Sequence, residues 1–115
     1  MVPHSPTLQE LAKKQKELTI VLFGEESPQM IDAHLRLGHS NIAIGLDAQA
    51  FLNFEKAFEL SKSVHNGEEN GSCVIALMNM AIAMRFMGND QHCSQILDKC
   101  LKIEETINGK QTEYY

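Results

Sequence analysis

The sequence predicts an all-α protein: an α–α solenoid of antiparallel helix pairs, with about five helices. Three observations point there. Segments rich in Leu, Ala, Met, Glu and Lys carry apolar residues at helical spacing, and no stretch alternates as a half-buried strand would. Prolines are confined to positions 3, 6 and 28, so nothing after residue 28 is barred from a helix interior. Glycine punctuation recurs: Gly24 and Gly67 lie 43 residues apart, as do Gly45 and Gly88, and Gly67 and Gly109 lie 42 apart. A shared offset for two kinds of glycine is the mark of a duplicated unit.

The first helix is expected over 7–23, capped by Ser5 or Thr7, with Leu8, Leu11, Ala12, Leu18 and Leu22 as its stripe. The second is expected over 28–44. Ser27 suits its N-cap, Pro28 its first position and Gly45 its end. The third, over 47–64, would bury Ala50, Phe51, Phe54, Ala57, Phe58 and Val64. The fourth runs over 72–87 and is closed by Gly88. The fifth runs over 90–107, with Ile96, Leu97, Cys100, Leu101 and Ile103 inward and Gly109 beyond its end. One array thus occupies 7–107, as a half repeat at 7–24 and repeats at 28–64 and 71–107. Residues 1–6 read as a disordered start, and 108–115 as a tail or a truncated next repeat.

Aligned on the 43-residue offset, the two repeats match by size: Ile31/Val74, Ala33/Ala76, Leu35/Met78, Leu37/Met80, Gly38/Ala81, Ala50/Cys93, Phe54/Leu97, Ala57/Cys100, Phe58/Leu101 and Leu60/Ile103. Asp47 and Asp90 pair as caps. Gly38 and Ala81, facing Ala50 and Cys93, would let helix backbones approach, while Phe54, Phe58, Leu97 and Leu101 would fill the space between layers. Leu37-Gly38, Gly45, Ala50, Phe54 and Ala57 fall at intervals that resemble the tetratricopeptide repeat. The second copy departs, with Met80-Ala81 for Leu-Gly and Cys93 and Cys100 for the two alanines. The family's Trp and Tyr positions hold His34 and Asn41, then Leu77 and Met84, so those aromatics are absent. The stretch "VLFGEESPQMIDAHLRLG" is similar to the junction between repeats of the kinesin light chain type. "FGEESP" and "KCLKI" are similar to segments in relatives of tetratricopeptide repeat protein twenty-three, a ciliary scaffold.

The resemblance implies a non-enzymatic protein-interaction module, a scaffold or adaptor whose concave groove takes a peptide or helical segment of a protein partner. Carried over position by position, the groove holds Asp32, Leu35, His39 and Ile42 in the first repeat and Ile75, Met78, Ile82 and Arg85 in the second. The carboxylate clamp known in the family needs Asn and Lys or Arg at several of these places. Leu35, His39, Met78 and Ile82 stand there instead, which disfavours a chaperone adaptor. The groove would be mainly apolar, with Arg85 free to meet a carboxylate. The implied setting is the cytoplasm, with the cytoskeleton or cilium within it. An alternative is a self-association unit, a homodimer through an apolar end, or a piece of a longer array, because about three repeats are usually needed for stability.

Other classes fare worse. A net charge of −5 repels phosphate backbones and argues against nucleic acid. No run of 18 apolar residues is present to span a membrane, and the first residues lack a signal-like apolar stretch. Cys73, Cys93 and Cys100 are odd in number and lack metal-type spacing, so they read as free thiols in a reducing compartment, with Cys93 and Cys100 as small packing residues. Met78, Met80, Met84 and Met87 read mostly as core. His34 and His39 are five apart, which suits packing or groove lining better than a metal pair. No cofactor motif is present. Gly38-His39-Ser40 superficially looks like a hydrolase nucleophile turn, but the second flanking glycine is replaced by Ile42, leaving a serine hydrolase as a remote alternative.

Overall fold

The computed structural model describes residues 6–112, with side chains as far as residue 109. The expected disordered start and the last three residues of the expected tail fall largely outside that range. The described chain is all-α: α1 (Leu8–Phe23), α2 (Gln29–Ala43), α3 (Asp47–His65), α4 (Gly71–Phe86) and α5 (Asp90–Thr112). Each helix packs on the one before it and the one after it, so α2–α3 and α4–α5 form two successive hairpins with α1 ahead of them. This is a solenoid-like stack.

Capping chemistry sets most of the boundaries. Thr7 starts α1 with a full capping box: its hydroxyl accepts from the Glu10 N–H (3.1 Å) and its own N–H donates to Glu10 Oε2 (3.3 Å). Asn70 caps α4 by accepting from the Cys73 N–H (2.9 Å), and the hydroxyl of buried Ser61 donates to the same oxygen (3.0 Å), tying α3 to the start of α4. Asn89 does the same for α5, accepting from the His92 N–H (3.1 Å). Three cap assignments differ from expectation. Ser27 turns its hydroxyl back to the Gly24 carbonyl (2.8 Å), and α2 starts after Pro28 without a side-chain cap. Asp47 and Asp90 are first helical residues, where a carboxylate meets the positive end of the helix dipole, and Leu46 and Asn89 precede them.

The α2–α3 and α4–α5 turns are one motif used twice. Gly45 and Gly88 have φ of 80° and 79°, left-handed values that suit glycine. The N–H groups of Gly45 and Leu46 donate to the Ile42 and Asn41 carbonyls, and those of Gly88 and Asn89 donate to Arg85 and Met84, 43 residues on. Gly109 does not stop α5 in the same way, because the helix runs through it to Thr112. A glycine in a helix costs only about 1 kcal/mol, so it ends a helix where packing turns the chain away, not by itself.

The repeat is deepest in its burial pattern. The buried residues of α2 are Met30, Ile31, Ala33, His34, Leu37, Gly38, Ser40 and Asn41, and those of α4 are Cys73, Val74, Ala76, Leu77, Met80, Ala81, Ala83 and Met84. Every member of the second set lies 43 residues after its counterpart, so the two helices hold the same place in the stack. Their interiors differ in chemistry. Asn41 donates to Asn53 Oδ1 (2.7 Å) and accepts from Gln9 Nε2 (2.8 Å), a polar link across α1, α2 and α3. At the places of Asn41 and Asn53 the second hairpin carries Met84 and Ile96, both buried.

The outer helices correct several expectations. Phe54 and Phe58 are buried on α3, which is packed by α2 on one side and α4 on the other, and Phe54 meets Gly38 and His39 of α2. Their counterparts Leu97 and Leu101, expected inward, are 42% and 60% exposed, since no described helix follows α5. On α1 only Ala12 of the expected stripe is buried, and Leu8, Leu11, Leu18 and Leu22 face solvent. The nearest neighbour of Gly38 is Phe54: a Cβ there would overlap three carbons of the Phe54 ring. Gly38→Ala is therefore expected to destabilise the fold by about 1–3 kcal/mol in urea denaturation, despite alanine's better helix propensity. Adding Phe54→Leu, which copies the Ala81/Leu97 pair of the second repeat, should recover part of that loss. No recovery in the double variant would contradict the contact.

Candidate interaction groove

None of the eight expected groove positions belongs to the buried sets of α2 and α4. On α2, Asp32 and His39 reach the surface, and Leu35 and Ile42 are half-buried against the core. On α4, Ile75, Met78 and Ile82 are 46–52% exposed and Arg85 is exposed. Each α4 residue lies 43 positions after its α2 partner, so the two quartets hold equivalent places in their units. Their chemistry is unequal. Asp32 is engaged by Arg36 on its own helix (2.8 Å), an exposed pair one helical turn apart. The His39 ring meets the Phe54 ring edge-on, with centroids 5.2 Å apart and planes at 65°, so this face of α2 rests on α3. On α4 the three apolar side chains run along the helix beside Arg85, which makes no ion pair among the described residues.

One exposed apolar side chain on α4 lies outside the expected set. Phe86 is 60% exposed and follows Ile82 by four residues, which places it at the end of the same stripe. That spacing carries the signal. Phe86 is easily overlooked because it stands two residues before the turn glycine Gly88, where the pattern reads as a helix end.

The other candidate centres resolve into packing. Ser40 is buried in the middle of α2, and its hydroxyl donates to the Leu37 carbonyl (2.7 Å). A nucleophile elbow needs a strand leading into the turn, and the chain around Ser40 is continuous helix. Among the described residues no group of three or more His, Cys, Asp and Glu side chains is placed to hold a metal ion. Cys73, Cys93 and Cys100 are buried free thiols. Burial pushes the Cys100 thiol up, and the nearby Glu104 carboxylate adds to this, which makes it a poor nucleophile.

His34 is the most perturbed group. It is buried between α1, α2 and α3, its Nδ1 has no hydrogen-bond partner, and it borders a depression of about 490 Å³ that Lys16 and Lys56 also line. Burial, first, and then the Lys16 and Lys56 ammonium groups together lower its pKa to about 4. The ring is neutral at pH 7. His39 is exposed on a different side of the same helix, so the two histidines share no site.

Among the described residues, no helix is long and apolar enough to cross a membrane. No protein-family model, curated protein or solved structure matches the chain.

Proposed function

We propose that the chain is a non-enzymatic protein-interaction module of tetratricopeptide type, a scaffold or adaptor that binds an apolar or amphipathic peptide, or a helix of a partner protein, along α4. The observation that carries this reading is the exposed row Ile75, Met78 and Ile82, extended by Phe86 and bordered by Arg85, on a helix whose opposite side is fully packed. Isolated exposed apolar residues are ordinary, but an ordered row along one rigid helix is the usual form of a docking surface. Helical grooves of this kind read partner anchors at i, i+3 or i+4, and i+7. Arg85 supplies a cation for a carboxylate at one end. The resemblance of the repeats to the tetratricopeptide pattern supports the same role, with a setting in the cytoplasm, on the cytoskeleton or at the cilium. The buried, carbonyl-bound hydroxyl of Ser40 speaks against the hydrolase alternative.

The test uses peptides selected against the 115-residue chain by display and titrated by fluorescence anisotropy. Met78→Asp with Ile82→Asp is expected to weaken binding at least about 100-fold, with the circular dichroism spectrum unchanged, because both side chains are exposed. Arg85→Ala should weaken only ligands carrying an acidic group, and by about 5–10-fold. Selected peptides that bind the double variant as tightly as the native chain would remove α4 as the docking helix.

A further inference from the structure

The depression of about 490 Å³ that His34 borders is lined by α1, α2 and α3 and shares no residue with the α4 row. Its floor is apolar: Met30 and Leu60 are buried and Ile20 is half-buried. Its walls carry both signs of charge, Lys16 and Lys56 against Glu25, Glu26 and Glu55. None of these five makes an ion pair among the described residues. His34 is 8% exposed and makes no hydrogen bond among the described residues. Its Nδ1 is sealed, and a buried acceptor without a partner is better tolerated than a buried N–H without one, so the proton of the neutral ring sits on Nε2. Nε2 is then the nitrogen left to meet a ligand, as a donor.

The second repeat supplies an internal comparison. Glu25, Lys56 and Leu60 recur 43 residues on as Glu68, Lys99 and Ile103, which border a depression of their own. There the two charges meet, with Lys99 Nζ 3.1 Å from Glu68 Oε1. The same pair of residue types stays apart in the first depression. The places of Lys16 and His34 hold Glu59 and Leu77 in the second repeat, so the extra cation and the ring donor belong to the first alone. A duplicated unit that keeps its shape but leaves opposite charges unpaired, beside a buried polar ring without a partner, has the form of a site rather than of packing.

We propose that this depression binds a free α-amino acid with an aliphatic side chain, its carboxylate held by Lys16, Lys56 and His34 and its ammonium by the glutamates. The donors stand together. Lys16 and Lys56 are the charged groups that act on the His34 ring, and no carboxylate joins them in doing so. That end therefore offers two ammonium groups and one N–H, all donors, which suits a carboxylate. Glu25, Glu26 and Glu55 are exposed, and they supply the acceptors for an ammonium at the rim. A ligand of one sign is opposed by half of this lining: an anion meets the glutamates and a cation meets the lysines. A zwitterion satisfies both. Ile20, Met30 and Leu60 take the aliphatic side chain, because apolar surface gains by leaving water. The volume lies in the lower part of the range of small-molecule pockets, as a ligand of this size requires.

The test is an amide NMR titration of the full chain with L-leucine up to about 10 mM. Saturable shifts are expected around Lys16, His34 and Lys56, with a Kd below about 1 mM. N-acetyl-L-leucine lacks the ammonium and L-leucinamide lacks the carboxylate, and each should bind at least about 10-fold more weakly. His34→Leu and Lys56→Ala should each weaken L-leucine by at least about 10-fold with the circular dichroism spectrum unchanged. The first copies Leu77 of the second repeat, and the second truncates an exposed side chain. Lys99→Ala, in the paired depression, should leave the Kd as it is. Absence of saturable shifts overturns the proposal, and so do shifts centred on Lys99 or full binding by both variants. N-acetyl-L-leucine binding as tightly as L-leucine would reduce the site to a carboxylate site, and L-leucinamide binding as tightly would reduce it to an amine site; either overturns the zwitterion. The α4 row is intact in every variant, so none of these outcomes bears on the proposed groove.

Discussion

Phe54→Ala is expected to destabilise the fold by about 3–5 kcal/mol, whereas Leu97→Ala, at the corresponding place in the second repeat, should change stability by less than about 1 kcal/mol. Phe54 is 1% exposed, lies close against Gly38 and meets the His39 ring edge-on. Truncating it removes the transfer free energy of the ring and leaves a cavity, because helices in contact on both sides do not collapse to fill it. Leu97 already gives almost half of its surface to water, so much of its burial has not been gained in the first place. Small domains have total stabilities of about 5–15 kcal/mol, so the first loss threatens folding and the second goes almost unnoticed. Urea denaturation followed by circular dichroism measures both. Equal losses would mean that α5 is covered in solution, as α3 is.

His34→Leu is expected to abolish a loss of stability that the native chain suffers between about pH 6.5 and pH 4. The folded-state pKa of about 4 lies below the ordinary 6.5. Above pH 6.5 the ring is neutral in both folded and unfolded chains and no penalty arises. As pH falls below 6.5 the unfolded chain takes up a proton that the folded chain refuses, so the unfolded state gains. Once pH passes below about 4, both forms are protonated and the loss is complete. A fall from 6.5 to about 4 corresponds to about 3 kcal/mol. Lys16 from α1 and Lys56 from α3 act on the ring, and Glu25, Glu26, Glu55 and Glu59 border the same depression. Those carboxylates titrate in both variants and largely cancel in the comparison. At pH 7 the leucine variant should equal or exceed the native chain. The substitution removes a buried nitrogen that lacks a partner, and Leu77 occupies the same place, buried, in the second repeat. The measurement is the urea midpoint as a function of pH, and identical slopes for the two proteins would contradict the account.

The helices were legible in the sequence because they rest on local chemistry. Gly45 and Gly88 close α2 and α4 in left-handed geometry and Thr7 caps α1. All five helices start, and the first four stop, within a few residues of the expected places, while α5 runs on past Gly109. The 43-residue offset was legible too, and it extends beyond residue sizes to burial and to the hydrogen bonds of the turns. At the expected groove positions of α4 the apolar side chains are exposed, and Phe86, outside the expected set, is exposed beside them. The α2 positions are less available than the pattern suggested, since Leu35 and Ile42 lean on the core and Asp32 is held by Arg36.

What the sequence by itself determined is the set of helices, their punctuation and the side that α2 and α4 turn inward, because caps, glycine conformation and periodicity act within a few residues. What only the tertiary structure decided is which outer faces are covered. Phe54 and Leu97 have equivalent positions and similar apolarity, yet one is sealed and the other open, since burial depends on whether a neighbouring helix lies above. The leucines of α1 look like a core stripe for the same reason, and in the fold they are the surface. Gln9, Asn41 and Asn53 are ordinary polar letters until three helices bring them to 2.7–2.8 Å, and the pKa of His34 is lowered only when burial and the ammonium groups of Lys16 on α1 and Lys56 on α3 act on it.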